Sequence, residues 1–386
     1  MRYLVLGAGL QGSAAAWDLA RSEGTTSVLM VDREAPIAEA AASALPDASV
    51  EVRTAARDLS DAEALDKLLE DADACLNALP YFMTLQVAEA CARRGVHYVD
   101  LGGNTDIVLK ILELDELAKG SGARLVPDCG LAPGLAATAA MSAIEGMEEV
   151  ESLRIRVGGL PQNPEPPLDY ALFFSIHGLI NEYLGEAVML REGEIVRERT
   201  LGEVEAIDLP EPLGRCEAFA TLGGSSTLPW TLKGRVRNLD YRTVRYPGHV
   251  EKIRLLRDLG FFDETPLAVG GSKISPREMS SAVLERLLNR GEVPDWVIFR
   301  VEAEGTLDGR RVRRRLQMLD GFDAATGLSA MRRTTAFPAS LVLQFLARGE
   351  SPHPGALRLE EAVAPGPYLA ELARHDLKIE TSLRDA

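Results

Sequence analysis

A glycine-rich hexapeptide near the start of the chain has the spacing of a phosphate-binding turn. Gly7, Gly9 and Gly12 directly follow an apolar run, and Leu10 and Gln11 stand between the last two glycines. In such a turn the first glycine permits the sharp bend, the second lets a pyrophosphate approach the backbone, and the third allows close packing of helix on strand. The following helix N-terminus offers free N–H groups and a positive dipole to phosphate oxygens. The hexapeptide therefore predicts a dinucleotide site.

A carboxylate at the end of the next apolar run strengthens this prediction. Asp32 follows Gly12 by twenty positions. A carboxylate there accepts hydrogen bonds from the adenosine ribose hydroxyls and repels a 2′-phosphate, which favours NAD over NADP. Arg33 keeps the alternative open, because a guanidinium can stack on adenine or pair with a 2′-phosphate. We expect NAD, with NADP as the less favoured cofactor.

Two further segments are expected at the same edge. Asp58 follows the third apolar run, where its carboxylate would reach the adenine amino group unless it is a helix N-cap or an ordinary surface acid. The residues after the fourth run would line the nicotinamide ribose, and they are Asn77, Ala78, Leu79 and Pro80. The alternative to the whole assignment is a glycine turn that binds no nucleotide.

The elements that must position these residues follow from the hydrophobic pattern. Short apolar runs alternate with helical patterns over the first 130 residues, which predicts an α/β fold with a doubly wound parallel sheet of the Rossmann type. After Pro133 the alternation ends and β-like runs dominate, which indicates a second α+β domain with a mixed or antiparallel sheet. The predicted domains are 1–132 for NAD binding, 133–335 for substrate and dimerisation, and 336–386 as a C-terminal helical segment that returns to the Rossmann domain.

Composition excludes several classes of protein. The chain has 386 residues and a formal charge of -16, which favours two globular domains and argues against a nucleic-acid partner. The basic run at 310–315 is expected on the solvated side of a strand. No apolar run has membrane length. The four cysteines lack paired CxxC spacing, so we expect no metal site and a cytoplasmic location.

Four stretches of sequence carry a resemblance to a known family. They are Gly7–Gly12, His97–Asp100 with Pro127–Gly134, Val244–His249 with Leu255–Phe261, and Leu328–Ala339. They extend over almost the whole chain, and the GLxPG and RYPGH segments are more specific than the glycine motif. On these residues the chain resembles the saccharopine dehydrogenase-like reductases, and within that family it is most similar to the lysine 6-dehydrogenases.

The resemblance implies a fold, a partner and a reaction. A second domain follows the GLxPG segment, the end of the chain returns to the Rossmann domain, and a homodimer is usual. Chemistry takes place at a carbon that bears an amine. The first expectation is NAD-dependent removal of hydride from the 6-carbon of L-lysine, with a small-molecule amino-acid substrate and neither a nucleic acid nor a membrane as a partner. The alternatives are an NADPH-dependent imine reductase of the saccharopine or carboxynorspermidine type, and a non-catalytic nucleotide-sensing homologue.

Amine oxidation requires a base, because hydride leaves only a carbon whose nitrogen is neutral. Asp100 and Asp128 are the candidates, since both lie near predicted strand ends and partial burial would raise the pKa of a carboxylate toward working pH. Tyr98 would donate or relay a proton. Cys129 occupies the family position, although a buried structural thiol is the commoner state of cysteine.

An amino-acid substrate also carries a carboxylate, which a guanidinium binds in a bidentate manner. Arg245 is the candidate, with Tyr246 beside it. His249 would bind the same carboxylate or act as the acid or base, because its ordinary pKa lies near neutrality. Thr334 and Thr335 would contact substrate through their hydroxyls, unless these are satisfied within a strand or a helix cap.

Overall fold

In a computed structural model, which describes residues 1–385, the N-terminal part of the chain forms a parallel sheet flanked by helices. Its strands are β1 (Arg2–Leu6), β2 (Ser27–Asp32), β3 (Val52–Ala56), β4 (Ala74–Asn77), β5 (His97–Asp100) and β6 (Arg124–Val126). The alternating helices are α1 (Leu10–Arg21), α2 (Ala35–Ser43), α3 (Ala62–Leu69), α4 (Thr84–Arg94), α5 (Thr105–Leu112) and α6 (Asp115–Ser121). The strand order β6-β5-β4-β1-β2-β3 reverses direction beside β1. This is the doubly wound arrangement that the sequence predicts, and it directs ligands to the carboxyl ends of the strands.

The second part is built on a nine-stranded mixed sheet. Its strands include β7 (Glu149–Pro161), β8 (Glu186–Arg191), β9 (Glu194–Arg199), β10 (Val204–Asp208), β11 (Arg215–Phe219) and β12 (Val236–Arg245). After a small hairpin of β13 (Leu267–Val269) and β14 (Ser272–Ile274), the sheet continues with β15 (Asp295–Leu307) and β16 (Arg310–Gly321). β12 pairs with β7 in parallel, whereas β15 pairs antiparallel with β7 and β16. The predicted fold class is confirmed for both parts of the chain.

The second part also contains helices that come before the C-terminal segment. They are α7 (Leu135–Ala143), α8 (Ile176–Glu182), α9 (Leu228–Thr231), α10 (His249–Asp258) and α11 (Pro276–Leu288). α7 is rich in alanine and almost wholly buried. Small side chains allow a helix to approach a sheet closely, so α7 lies in the continuous core that the two sheets share.

The C-terminal segment, predicted as a helical return to the Rossmann domain, does contact that domain but contains two strands as well as helices. It contains α12 (Ala330–Ala347), β17 (Gly355–Ala356), α13 (Leu359–Ala362), α14 (Pro365–Arg374) and β18 (Glu380–Asp385). β17 extends the parallel sheet beside β6, making it seven-stranded, but β18 joins the mixed sheet at the edge of β16. An open strand edge offers unpaired backbone groups, and β18 satisfies those of β16. The segment therefore contacts both sheets.

Helix α12 joins the two parts of the molecule. The Asp295 carboxylate accepts hydrogen bonds from the backbone N–H groups of Ala330 and Met331, which fixes the start of the helix on the mixed sheet. From the first turn, the Arg332 guanidinium donates to the Leu10 carbonyl and the Ser13 hydroxyl of α1. The glycine turn is thus held in a defined position relative to the second domain.

The basic run at residues 310–315 was predicted to lie on the solvated side of a strand. The basic run lies on β16, where Arg313 and Arg315 pair with Glu304 and Glu302 of the neighbouring strand. Cross-strand ion pairs of this kind belong to a solvated sheet surface. Among the helices of residues 1–385, none combines the length and the apolar character needed to cross a membrane.

Candidate active site

A cleft of about 430 Å³ lies between the two sheets. One side is formed by the glycine turn and by the segments that follow β4 and β5. The opposite side is formed by β7, β12 and the end of α8, and Met331 and Thr335 of α12 complete it. The cleft therefore lies outside the carboxyl ends of the parallel strands, where open α/β sheets bind their ligands.

The glycine turn has the geometry of a pyrophosphate cradle. Gly7 has a φ of +98°, which L side chains rarely adopt, and a Cβ on Gly12 would overlap the Gly7 carbonyl. A Cβ on Gly9 would meet no atom within 4 Å, so this glycine faces open space. Gly9 also precedes α1 without a side-chain cap, and no acidic residue lies in the first turn. The free N–H groups of α1 are therefore available to an anion.

Unsatisfied polar atoms beside the turn also fit a nucleotide. Gln11 lines the cleft, and both polar atoms of its buried amide lack a hydrogen-bond partner among the described residues. Asp32 accepts a hydrogen bond from Ala8 N at 2.9 Å and one from Glu34 N at 3.3 Å, so its carboxylate is held at the end of β2. The residues at this edge fit a dinucleotide with a ribose at Asp32.

Of the other predicted cofactor residues, some line the cleft and some do not. Arg33 is exposed and lies 3.5 Å from the Glu34 carboxylate. Asp58 accepts hydrogen bonds from the backbone and hydroxyl of Ser60, which lower the pKa of its carboxyl, and Asp61 is the N-cap of α3 instead. Ala78, Leu79 and Pro80 line the cleft, whereas Asn77 is buried behind them and bonds to Leu79 N and the Tyr98 hydroxyl.

Four of the predicted catalytic residues form a buried layer that we call the carboxylate floor: Tyr98, Asp100, Asp128 and Cys129. Asp100 is 2% exposed. Its Oδ1 accepts hydrogen bonds from Gly102 N at 2.8 Å and Asp128 N at 2.9 Å, and its Oδ2 accepts one from the Tyr98 hydroxyl at 2.9 Å. All its bonds are to the protein, so Asp100 has the environment of a structural carboxylate.

Asp128 and Cys129 lie in the same layer and are also buried. Asp128 lies beside Gly102, which lines the cleft, and its Oδ2 accepts a hydrogen bond from the Ser226 hydroxyl at 2.5 Å. Its Oδ1 has no hydrogen-bond partner among the described residues. Burial and the charge of Asp100 raise the pKa of Asp128 well above its usual range. Burial likewise raises the pKa of the Cys129 thiol, which lies 3.2 Å from the Val126 carbonyl.

The opposite side carries a different set of polar groups, which we call the arginine wall: Glu182, Tyr241, Thr243 and Arg245. Strand alternation places the last three on one face of β12. Arg245 is 4% exposed, its guanidinium lies 4.6 Å from the Tyr170 ring centre, and its Nε has no hydrogen-bond partner among the described residues. A buried guanidinium with an unused donor is equipped to bind an anionic ligand.

Glu182 was not anticipated from the sequence. It is the last residue of α8, its side chain is 29% exposed, and its Oε2 lies 3.8 Å from Nη2 of Arg245. Burial raises the pKa of Glu182 to about 7, although the charge of Arg245 lowers it. A glutamate in a short helix has no sequence signal of its own. The alternation of Tyr241, Thr243 and Arg245 was the available signal for the wall.

The structure places three further predicted residues, on the side of the arginine wall, away from the cleft. His249 is buried, with Nδ1 2.9 Å from the Leu168 carbonyl and Nε2 2.9 Å from the Tyr183 hydroxyl. Burial, together with the charge of Arg245, lowers the pKa of His249 to about 3, so the ring is neutral and fully bonded. It contributes to packing and does not line the cleft.

The other corrections concern Tyr246 and the threonine pair. The Tyr246 hydroxyl donates to the Pro161 carbonyl, and its ring packs in a cluster separate from the cleft. Thr334 is buried inside α12 and donates to the Ala330 carbonyl, whereas Thr335 lines the cleft. The expectation of a strand or cap for these threonines is wrong, because α12 begins before them and continues through them.

Within residues 1–385, no group of three or more His, Cys, Asp or Glu side chains has the arrangement of a metal site. All four cysteines are buried and free.

The fold and the cleft define a two-domain Rossmann protein of the oxidoreductase class. The chain belongs to the saccharopine dehydrogenase family: residues 3–126 match its NADP binding domain and residues 130–377 its C-terminal domain. The family prediction is confirmed, and with it the prediction of an enzyme. The nearer similarity to lysine 6-dehydrogenases stays a prediction.

Individual relatives are distant but extend over most of the chain. The saccharopine dehydrogenase [NADP(+), L-glutamate-forming] of Schizosaccharomyces pombe is 22% identical, over 86% of this chain and 88% of its own. The carboxynorspermidine synthase of Vibrio cholerae is 22% identical, over 84% of this chain and 81% of its own. Apo saccharopine dehydrogenase (L-Glu forming) from Saccharomyces cerevisiae has the same fold, with a TM-score of 0.79, 20% identity and 99% of both chains covered.

Proposed function

We propose that the protein is a nicotinamide-dinucleotide-dependent oxidoreductase that acts on an amine carbon of an amino acid. The first candidate reaction is oxidative deamination of L-lysine at its 6-amino group. The observation that carries the proposal is the position of Arg245, a buried guanidinium with an unused donor in the cleft that the glycine turn also lines. A carboxylate and a dinucleotide would thus bind in the same cleft.

Different residues at the cleft would bind the cofactor and the substrate. The turn from Gly7 to Gly12 would hold the pyrophosphate, Asp32 the adenosine ribose, and Ala78 to Pro80 the nicotinamide half. When bound, the nicotinamide supplies a hydride acceptor for the amine carbon. The protein orients the substrate and holds the substrate carboxylate at Arg245. The open side of the cleft admits the water that hydrolysis of the resulting imine consumes.

The choice of cofactor rests on two neighbouring side chains. Asp32 supports NAD, because its carboxylate repels a 2′-phosphate. The matching family domain and the fission yeast relative carry NADP in their names, and the exposed guanidinium of Arg33 supports that alternative. We propose NAD as the preferred cofactor, with Asp32 as the residue that decides.

The charge of the cleft supports a substrate with a single carboxylate. Of the Lys and Arg side chains in residues 1–385, Arg245 alone lines the cleft. Lysine carries one carboxylate, whereas saccharopine carries three and would require further cations or solvent around the others. An imine reductase of the saccharopine or carboxynorspermidine type is the second candidate, supported by the names of the relatives.

A test mixes the purified protein with NAD or NADP and a panel of amino acids, and follows the absorbance of the reduced cofactor. Reduction with lysine and NAD supports the first candidate. A signal that requires an aldehyde, an amine and NADPH supports the reductase. Dinucleotide binding in a calorimeter without either reaction would show a non-catalytic homologue and overturn the proposal.

Asp32→Asn tests the cofactor assignment. The amide still accepts the hydrogen bond of Ala8 N but loses the charge, so we expect the KM for NAD to rise about tenfold and the preference over NADP to shrink. Arg33→Gln is the matched control on the neighbouring residue and should leave the KM for NAD unchanged. A large loss of NADP affinity in Arg33→Gln, with no effect of Asp32→Asn, would reverse the assignment.

A homodimer is proposed for the assembly. Met279, Val283 and Leu287 recur every four residues on α11 and expose apolar side chains, and the β13–β14 hairpin before them is exposed along its length. A two-stranded hairpin is marginally stable by itself in water, so a second copy would stabilise it. Light scattering on a sizing column should give twice the chain mass, and Val283→Asp should give a monomer.

A further inference from the structure

We infer that Glu182 and Arg245 form a recognition pair for the α-ammonium and α-carboxylate of a free amino acid. The inference rests on the proposed function, because it concerns the substrate of the same cleft. It assigns Glu182 a role in specificity, at the end of the substrate remote from the reacting amine.

The spacing of the pair is complementary to the head of an α-amino acid. Glu182 Oε2 and Arg245 Nη2 lie 3.8 Å apart, which is too long for a direct hydrogen bond. An α-amino acid carries its ammonium and carboxylate on one carbon, so the two charged groups lie a similar distance apart. Each can therefore face the side chain of opposite charge, with the ammonium at Glu182 and the carboxylate at Arg245.

Both members of the pair have unused hydrogen-bonding capacity. Among the described residues, the Glu182 carboxylate accepts no hydrogen bond. The Arg245 guanidinium donates from Nη1 to the carbonyl of Val244, and its Nε has no partner. Buried or half-buried charged groups normally have their hydrogen bonds satisfied. A zwitterion would supply the missing donors and acceptors of both groups at once.

The surrounding structure fixes the position of Glu182 before any ligand arrives. The adjacent Asn181 donates to the Gly103 carbonyl at 2.9 Å, which ties the end of α8 to the Rossmann side of the cleft. On the other side, the Tyr183 hydroxyl bonds to His249, and Thr200 donates to the Tyr183 carbonyl. The backbone that carries Glu182 is therefore held in place, which reduces the freedom that is lost on binding.

No other acidic side chain of the described residues lines the cleft, so Glu182 is the available partner for a cation. The groups that face it are the Arg245 guanidinium and the hydroxyls of Tyr170, Tyr183 and Tyr241, whose pKa values burial raises, so that all three stay neutral. A dianionic head group would be repelled by Glu182, whereas a zwitterion is neutral overall and fits the nearly neutral pair.

The test compares lysine with 6-aminohexanoate, which keeps the carboxylate and the reacting amine but lacks the α-amine. In the unaltered enzyme we expect lysine to bind about 30-fold more tightly, as for a hydrogen-bonded charge pair. Glu182→Gln should weaken lysine binding by about that factor and leave 6-aminohexanoate unchanged. Glu186→Gln, which changes an exposed glutamate four positions along the chain, is the matched control and should retain the discrimination.

The affinities are measured by calorimetry in the presence of the dinucleotide, so that the result does not depend on turnover. Unchanged dinucleotide binding by Glu182→Gln shows that the variant is folded. Equal weakening of both ligands, or of neither, overturns the inference. If lysine binds with the expected contrast but no cofactor is reduced, the recognition pair stands and the proposed oxidation fails.

A pH series adds a second signature. Glu182 binds an ammonium only when ionised, and its pKa is raised to about 7. The dissociation constant of lysine should therefore fall as pH rises through about 7 and level off above it, while that of 6-aminohexanoate shows no such step. The step should be absent in Glu182→Gln. A step of equal size with both ligands would contradict the assignment.

Discussion

The carboxylate floor and the arginine wall each contain a buried or half-buried carboxylate, but the two carboxylates differ in their hydrogen bonds. Asp100 in the floor accepts three hydrogen bonds from the protein, whereas Glu182 in the wall accepts none among the described residues. Both carboxylates have raised pKa values because of burial. A raised pKa alone therefore does not distinguish a functional carboxylate from a structural one. Unused hydrogen-bonding capacity does not do so either, because Oδ1 of Asp128 in the floor also has no partner among the described residues. Glu182 differs from both floor carboxylates in that it lines the cleft beside Arg245.

The floor and the wall contribute to the cleft in different ways. The floor bonds the loops after β5 and β6 to one another, through Asp128 N and Gly102 N on a single carboxylate. These loops carry Gly102 and Pro133, which line the cleft. The floor thus shapes the site, and the wall supplies the charges that a ligand can reach.

The largest expected effect is a loss of activity on substitution of a residue in the arginine wall. Arg245→Met should lower kcat/KM for lysine about 10³-fold, because the substrate carboxylate would lose its buried cation. Dinucleotide affinity should be unchanged, since the glycine turn is untouched. Arg237→Met, on an exposed part of the same strand, is the control and should keep full activity. A loss of less than about fivefold in Arg245→Met would remove Arg245 from the substrate site.

A substitution in the carboxylate floor should lower the stability of the protein. Asp100→Ala leaves two buried backbone donors and the Tyr98 hydroxyl without their acceptor, so the free energy of unfolding should fall by about 3 kcal/mol. Glu182→Gln should change it by less than about 1 kcal/mol, because the half-buried carboxylate holds no hydrogen bond. Denaturant titrations measure both values. Equal losses in the two variants would erase the distinction between floor and wall.

The smallest effect tests the predicted proton relay. Tyr98→Phe removes one hydrogen bond to Asp100 and should cost about 1 kcal/mol of stability. Turnover should stay within about twofold, because the hydroxyl lies in the floor and does not line the cleft. A fall of tenfold or more in kcat, with unchanged stability, would return Tyr98 to the catalytic residues.

Much of the N-terminal half could be predicted because its signals are local. The turn from Gly7 to Gly12 and the carboxylate at Asp32 depend on residues close together in the chain, and the parallel sheet follows from regular alternation. Prediction was weaker in the mixed sheet. β18 completes it from the far end of the chain, and no local pattern indicates which edge a terminal strand joins.

The sequence did not indicate which of the candidate catalytic residues the fold would bury. His249 and Asp128 have suitable chemistry in the sequence, but burial gives His249 a lowered pKa and Asp128 a raised one, and both lie outside the cleft lining. Glu182 was missed because only the packing of α8 against the Gly103 loop brings it to Arg245.

By itself, the sequence determined the Rossmann domain with its glycine turn, and the family, and it indicated Arg245 as a candidate. Only the tertiary structure decided which acidic groups are satisfied by the protein and which remain free for a ligand. The physical reason is that chain-local patterns specify elements, whereas burial and hydrogen-bond saturation depend on contacts between residues far apart in the chain.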